Sequence, residues 1–253
     1  MRLLVAGGGT GGHVFPGIAL AEEVVTRHPA NDAIFVGTAR GLEATIVPEA
    51  GFPIELVEVR GLKGKGLADT LRNLLLLPAA LWQSIRILRR WRPDVVVGVG
   101  GYASGPVVLA AWLLRIPTAV QEQNAAAGVT NRILGRVVQA AFTAFPEAAR
   151  HFPRRKVYQL GNPIRRTLME NFMRPEARHD ASRLLVFGGS QGAHALNMRV
   201  VEALVHLADL RDKLEVTHQT GPRDREQVEK ATRACGFTPA VWAFITAMSA
   251  ASA

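Results

Sequence analysis

The chain opens Met1-Arg2-Leu3-Leu4-Val5-Ala6-Gly7-Gly8-Gly9-Thr10-Gly11-Gly12-His13. Arg2–Ala6 reads as a core strand, too short an apolar run for a signal peptide and turning straight into glycines. A helical pattern follows over Gly17–Arg27. Strand, glycine turn and helix in that order make a βα unit. Glycine lets such a turn take positive φ and approach a ligand closely. The helix beyond it presents unpaired N–H groups and the positive end of its dipole, which suits an anion or a sugar hydroxyl. A plain tight turn would use the same residues, so the stretch gains its weight from its neighbours.

Those neighbours repeat the pattern. Candidate strands at Ala33–Val36, Ile54–Val59, Asp94–Val97, Thr118–Gln121, Ala140–Thr143 and Val157–Leu160 alternate with helical stretches such as Val107–Leu114 and Val129–Val137. Near-continuous apolar strands separated by helices predict parallel sheets covered on both faces, the doubly wound α/β class. Residues 171–180 are polar, carry Pro175 and lack apolar periodicity, which predicts a linker over residues 166–182. After it, Leu184-Leu185-Val186-Phe187-Gly188-Gly189-Ser190 echoes the opening, and Ala193–Leu207, Leu214–His218 and Arg223–Cys235 continue the alternation. Two Rossmann-like domains facing one cleft are expected, residues 1–165 and 183–253. An open half of such a fold typically holds about five or six strands. Only two or three are apparent after the linker, and Ser249-Ala250-Ala251-Ser252-Ala253 offers neither strand nor cap. The expectation is a second domain that is incomplete.

The 253 residues are 48% hydrophobic and 20% charged, ordinary for a chain able to bury a core. The single cysteine, Cys235, excludes an internal disulfide framework. With no Cys/His metal cluster and no secretion signal, a reducing cytoplasm is the default expectation. The net charge of +9 is concentrated: between Arg60 and Arg92 eight cations face one acid, Asp69. A local patch, rather than a uniformly basic surface, argues against nucleic acid as the partner.

Two more glycine turns sit between strand and helix. They are Gly98-Val99-Gly100-Gly101-Tyr102-Ala103-Ser104-Gly105-Pro106 and Gly188-Gly189-Ser190-Gln191-Gly192-Ala193. Neither these nor the first carries the Gly-Lys-Ser/Thr of a P-loop, which disfavours phosphoryl transfer. The second strand ends Phe35-Val36-Gly37 without the acid that a dinucleotide site places there, so NAD is disfavoured too. Three glycine turns at the C-terminal ends of parallel strands, where such folds bind ligands, carry more than any one alone.

Gly9-Thr10-Gly11-Gly12-His13-Val14-Phe15-Pro16, Gly100-Gly101-Tyr102-Ala103-Ser104-Gly105-Pro106, Glu122-Gln123-Asn124, Gly161-Asn162-Pro163-Ile164-Arg165 and Gly188-Gly189-Ser190-Gln191-Gly192-Ala193 resemble, in order, the marker segments of the MurG family. His218-Gln219-Thr220-Gly221 and Phe244-Ile245 are later echoes. The resemblance implies a GT-B fold and an inverting hexosyltransferase of peptidoglycan synthesis. Its substrates would be UDP-N-acetylglucosamine (UDP-GlcNAc) and lipid I, the undecaprenyl-pyrophosphoryl-muramoyl-pentapeptide, with lipid II as product. No metal or other cofactor is expected, since the chain has no Asp-x-Asp triplet and GT-B enzymes hold the leaving pyrophosphate with helix N-termini and backbone N–H groups.

The resemblance also assigns residues. Thr10, Gly11 and Gly12 would contact donor and acceptor, Gly101, Tyr102 and Ser104 of the second turn would also bind substrate, and Asn124, Arg165, Ser190, Gln191 and Gly192 would contact the UDP-sugar. Ile245 would lie near the uracil through its backbone; Thr246-Ala247 then stand where the family usually carries acidic residues. His13 suits a general base for the acceptor hydroxyl, against the competing role of a helix-capping imidazole. Glu122 would orient His13 or the acceptor, or serve as a structural carboxylate. Arg165 offers a fork to a phosphate, with a surface ion pair as its alternative, and Ser190 is equally suited to an N-cap.

Leu67–Trp91 is apolar at helical spacing, with Pro78 expected to kink or divide it. Its longest uncharged run, Asn73–Ile85, falls far short of the ~20 residues a spanning helix needs. Leu75, Leu76 and Trp82 beside Arg86 and Arg89, extended by Trp112 and Arg115, suit a surface that settles into anionic lipid headgroups. A buried helix with a solvated basic end is the alternative. The resemblance favours the first, at the cytoplasmic face of the plasma membrane, with Gly61-Leu62-Lys63-Gly64-Lys65-Gly66 as a loop near the acceptor. Rival readings are another GT-B or nucleotide-sugar enzyme, such as an epimerase, and a shortened product that keeps acceptor and membrane binding but transfers little or no sugar.

Overall fold

In the computed structural model, which describes residues 1–59, 77–172, 182–189 and 192–245, strand β1 (Arg2–Gly7) feeds two separate cores. Leu3 and Val5 pack with Val14, Ile18, Phe35 and Val97 on one face of the sheet. Leu4 and Ala6 pack with Ile34, Val36, Val96 and Val107 on the other. Successive strand side chains point to opposite faces, so a strand covered on both sides must be apolar throughout. Each such buried aliphatic side chain contributes about 1.5–3 kcal/mol.

Two compact units, Met1–Arg166 and Thr167–Ala253, each have their own parallel sheet. In the first unit β1 is followed by α1 (Gly11–Arg27), β2 (Asp32–Gly37), α2 (Glu43–Glu49), β3 (Ile54–Leu56), α3 (Leu77–Trp91), β4 (Val95–Gly100) and α4 (Ser104–Leu113). Then come β5 (Thr118–Glu122), α5 (Val129–Leu134), β6 (Ala140–Thr143), α6 (Pro146–Ala149) and β7 (Val157–Gln159). The seven strands are ordered β3-β2-β1-β4-β5-β6-β7, and every neighbouring pair is parallel. The order turns back between β1 and β4, which makes their C-terminal ends the topological switch point of the sheet.

Helix α1 begins at Gly11, ahead of the Gly17 expected from the sequence. Gly11 and Gly12 are poor helix formers, but burial of Val14 and Ile18 in the core outweighs that penalty. Helix α2 escaped the sequence reading because it is short and holds Pro48 in its last turn. In α3 the buried residues are Ala80, Ser84, Ile87 and Leu88, one face at helical spacing. Pro78 stands in the first turn of the described helix, a position compatible with helix.

The second unit contains β8 (Ser182–Phe187), α8 (His194–Val205), β9 (Leu214–Gln219), α9 (Arg225–Ala234) and β10 (Ala240–Trp242), in the order β10-β9-β8. Its fully buried apolar cluster is Leu204, Val216 and Phe237, supported by Val200, Leu207, Leu214 and Cys235. Strand β10 is three residues long, below the length at which alternation is legible. In chain order, after β7 and before β8, a helix, α7 (Arg166–Phe172), occupies the first positions of the expected linker; the greater part of that segment lies outside the described residues.

Candidate functional site

The switch point brings together two turns far apart in the chain. The Gly8 N–H donates to the Gly100 carbonyl at 3.2 Å, so the loop after β1 lies against the loop after β4. Such an approach leaves no room for side chains. A Cβ on Gly101, whose φ is +82°, would overlap the Gly8 backbone. Gly101→Ala is therefore expected to cost about 2–3 kcal/mol, read as a lower urea midpoint. Gly12→Ala is the control: its Cβ would meet only the Thr10 hydroxyl, at 3.9 Å. It should be neutral or slightly stabilising, because alanine is the better helix former.

On this platform His13 stands in the first turn of α1, half-buried. Its Nδ1 lies 3.0 Å from Thr10 Oγ1, and its ring is set against Gly100, where a Cβ would come within 2.7 Å of Cδ2. Burial holds the imidazole below its ordinary value, while the charge of Glu122, a hydrogen bond to the Gly8 backbone and the charge of Glu43 pull it back up. An imidazole that is neutral at neutral pH is free to take a proton, and nearby carboxylates stabilise the cation that results.

Glu122, at the end of β5, is 1% exposed. One carboxylate oxygen accepts the Asn124 N–H and the Asn124 side-chain amide, both at 3.1 Å; the other accepts the Gly128 N–H at 2.9 Å and the Asn131 amide at 3.0 Å. Its oxygens are thus bonded to the 124–131 loop, and it acts on His13 through charge alone. Asn124 is exposed and pinned by this carboxylate. Tyr102 is 49% exposed in the second turn, whereas Ser104 is buried as the first residue of α4, its hydroxyl without a partner among the described residues. The Arg165 guanidinium lies 4.9 Å from the centre of the Phe15 ring, so the end of the first unit returns to the start of α1. This is a cation–π contact; among the described residues Arg165 forms no ion pair of the kind considered from the sequence.

In the second unit, Gly192 has φ +74° and touches the Thr220 backbone so closely that a Cβ would overlap it. The Gln219 amide joins two loops there, donating to the Gly189 carbonyl at 2.9 Å and accepting the Ile245 N–H at 2.8 Å. The Ile245 N–H is therefore already bonded within the protein, and the Ile245 side chain is buried. Ser190 and Gln191 lie outside the described residues.

Three groups were missed in the sequence. Glu43, 2% exposed, accepts from the Gly9 N–H beneath the first turn. Asn197, fully buried, links His218 to Asp224, and the Asn197 amide holds the Asp224 carboxyl below its ordinary range, helped by His194. The glycines at Gly37 and Gly41 around Thr38 were the one hint of a group seated under the turn.

His218, like His13, is held below the ordinary imidazole value of 6.5 by burial. The folded chain therefore favours the neutral rings, and acid protonates the unfolded chain first. This contribution to stability is full above about pH 6.5 and declines as pH falls toward the folded-state values. The urea midpoint should drop between about pH 7.5 and about pH 5.5, and His218→Gln should flatten the part belonging to the second unit. A midpoint that rose on acidification would contradict the assignment.

The basic apolar surface divides between core and solvent. Leu88 is buried, Leu81 and Ile85 pack partly against the core, and Trp82 stands out at 62% exposure with Arg86 stacked 5.8 Å from its ring centre. On neighbouring α4, Leu109, Trp112 and Leu113 are exposed, and Arg89 is exposed on α3. Leu75, Leu76 and the Gly61–Gly66 loop lie outside the described residues. Among the described residues no helix is long and apolar enough to cross a membrane.

Parallel sheets with glycine turns at a switch point define a class of α/β proteins that bind ligands there, and comparison with known proteins narrows it. The glycosyltransferase family 28 N-terminal domain matches residues 3–143 and the family 28 C-terminal domain residues 183–253. The chain belongs to glycosyltransferase family 28 and, within it, to the MurG family. A relative from Anaeromyxobacter dehalogenans (strain 2CP-C), named UDP-N-acetylglucosamine--N-acetylmuramyl-(pentapeptide) pyrophosphoryl-undecaprenol N-acetylglucosamine transferase, is 81% identical over the whole chain. One of the same name from Myxococcus xanthus (strain DK1622) is 58% identical over the whole chain. The chain spans 66% of the length of both. The crystal structure of Acinetobacter baumannii MurG is 30% identical with a TM-score of 0.71, covering 99% of this chain and 70% of that one. A UDP-GlcNAc 2-epimerase from Neisseria meningitidis is only 13% identical at a TM-score of 0.68, over 100% of this chain and 74% of that one, and shares the fold alone. The α/β, GT-B-type fold expected from the sequence is the fold found.

Proposed function

We propose that this chain serves the transfer of N-acetylglucosamine from UDP-GlcNAc to lipid I, giving lipid II and UDP. The observation that carries this reading is the placement of His13 at the switch point, neutral by burial and flanked by two carboxylates. In the proposed step His13 takes the proton of the acceptor hydroxyl as its oxygen bonds to the anomeric carbon. The bond to UDP breaks, configuration inverts, and the pyrophosphate leaves with its electron pair toward backbone N–H groups and helix N-termini. Thr10 orients the imidazole through Nδ1. In this reading Asn124, Tyr102 and Arg165 contact the substrate, while Glu122, bonded to Asn124 and raising the His13 pKa by its charge, positions the first and favours the imidazolium.

Lipid I resides in a bilayer, and the Trp82, Arg86, Arg89 and Trp112 surface suits peripheral attachment to anionic headgroups at the cytoplasmic face. The test has two arms: UDP-GlcNAc binding by calorimetry for this chain and for one extended to the relatives' full length, then transfer to a lipid I analogue. Transfer by the extended chain, reduced about 10²–10⁴-fold by His13→Ala, is the expected result. An extended chain that binds UDP-GlcNAc but transfers nothing would overturn the reading. Binding by the short chain alone would place the donor contacts within residues 1–253.

A further inference from the structure

Beneath the first glycine turn lies a buried carboxylate that the proposed transfer does not use directly. Glu43, the first residue of α2, accepts the Gly9 N–H at 2.6 Å, the Thr38 N–H at 2.8 Å and the Thr38 hydroxyl at 2.9 Å. Three glycines surround it, and a Cβ on Gly8, Gly37 or Gly41 would strike its side chain. Among the described residues it forms no ion pair, so hydrogen bonds alone solvate the charge. A carboxylate offers acceptors on both oxygens, one toward Gly9 and one toward Thr38. A glutamine offers only one.

We propose that Glu43 is a positioning residue, an internal anion that engages the Gly9 N–H and so holds the turn that presents Thr10 and His13. Two consequences follow from the geometry. The Gly9 N–H is engaged by the protein's own carboxylate, so a substrate phosphate does not bind through it. The charged groups facing His13 are Glu122 at the end of β5 and Glu43 at the start of α2, and both favour proton uptake by the ring; Arg165 is directed to the Phe15 ring. Only the catalytic consequence rests on the transferase reading. The bracing of the turn does not.

The test needs neither substrate nor turnover. In this chain, labelled for nuclear magnetic resonance, Glu43→Gln is compared with the unmodified protein by amide exchange at Gly9 and by titration of the His13 imidazole. The expected result is Gly9 exchange faster by about tenfold or more, together with a downward shift of the His13 titration. Thr38→Val removes one donor but keeps the charge, so it should speed Gly9 exchange less and leave His13 unmoved. A folded Glu43→Gln variant with unchanged Gly9 exchange overturns the proposal, as does faster Gly9 exchange with an unmoved His13. If Glu43→Gln does not fold, Thr38→Val decides, and no acceleration at Gly9 overturns it. Loss of transfer in the full-length assay would instead count against the transferase reading, with these two readouts untouched.

Discussion

Asn197→Ala is expected to unfold the second unit while the first stays intact. The Asn197 side chain is fully buried and makes three bonds. Its oxygen accepts from His218 Nε2 at 3.0 Å, and its amide donates to the Thr220 carbonyl and to Asp224 Oδ2, both at 2.9 Å. Truncation leaves the His218 N–H without a partner in a place closed to water, and the Thr220 carbonyl loses its donor. An orphaned buried donor costs about 1–3 kcal/mol and each lost bond about 1, so a loss of about 3 kcal/mol is expected for these two groups. Among the described residues the unit's buried apolar cluster is small, formed by Leu204, Val216 and Phe237, so a loss of that size weighs heavily on it. Hydrogen exchange read by mass spectrometry is the direct measurement. Peptides from β8, β9 and α8 should lose protection while those from β1 and β4 keep theirs. Asn197→Asp should be no milder, because it sets a second carboxylate against Asp224. Equal protection of both units in the alanine variant would mean that the network is incidental to the unit's stability.

Glu122→Ala is the second large effect, in the first unit. Four donors converge on this one carboxylate, from Asn124, Gly128 and Asn131. Hydrogen bonds to a charged group are worth about 1.5–3 kcal/mol each when removed singly, and they are not additive, so a net loss of about 3–5 kcal/mol is expected. The 124–131 loop should relax and release Asn124. Glu122→Gln should cost less, since one oxygen still accepts, but its new amide would face donors. Urea unfolding followed by tryptophan fluorescence checks this, in a Trp242→Phe background so that the signal arises from Trp82, Trp91 and Trp112 of the first unit. A loss below about 1 kcal/mol would mean that the loop is not built around the carboxylate.

Both predictions concern residues whose importance depends on what they meet in space, and this separates what was legible in the sequence from what was not. Strands, their parallel class and the three glycine turns were legible because their signals are local. Leu3-Leu4-Val5-Ala6 must be apolar throughout when both faces of β1 are covered, and glycines after it mark a turn that side chains would block. His13, Asn124 and Arg165 were singled out through resemblance; nothing in their own spacing marks them. The start of α1 at Gly11 was missed because propensity counts glycine against a helix that core contacts hold in place.

Strand order lies beyond local reading altogether. The switch between β1 and β4 lets Gly8 meet Gly100, carries Glu43 under Gly9 and sets the Glu122 loop beside His13. The same holds for Gln219, which closes off the Ile245 N–H, and for Asn197, which ties His218 to Asp224. The sequence by itself determined the layers of this protein and the places where its backbone turns, because periodicity and glycine act over a few residues. Only the tertiary structure decided which carboxylate lies against which turn. A buried polar group is satisfied by whatever the fold brings within about 3 Å, however distant in the chain.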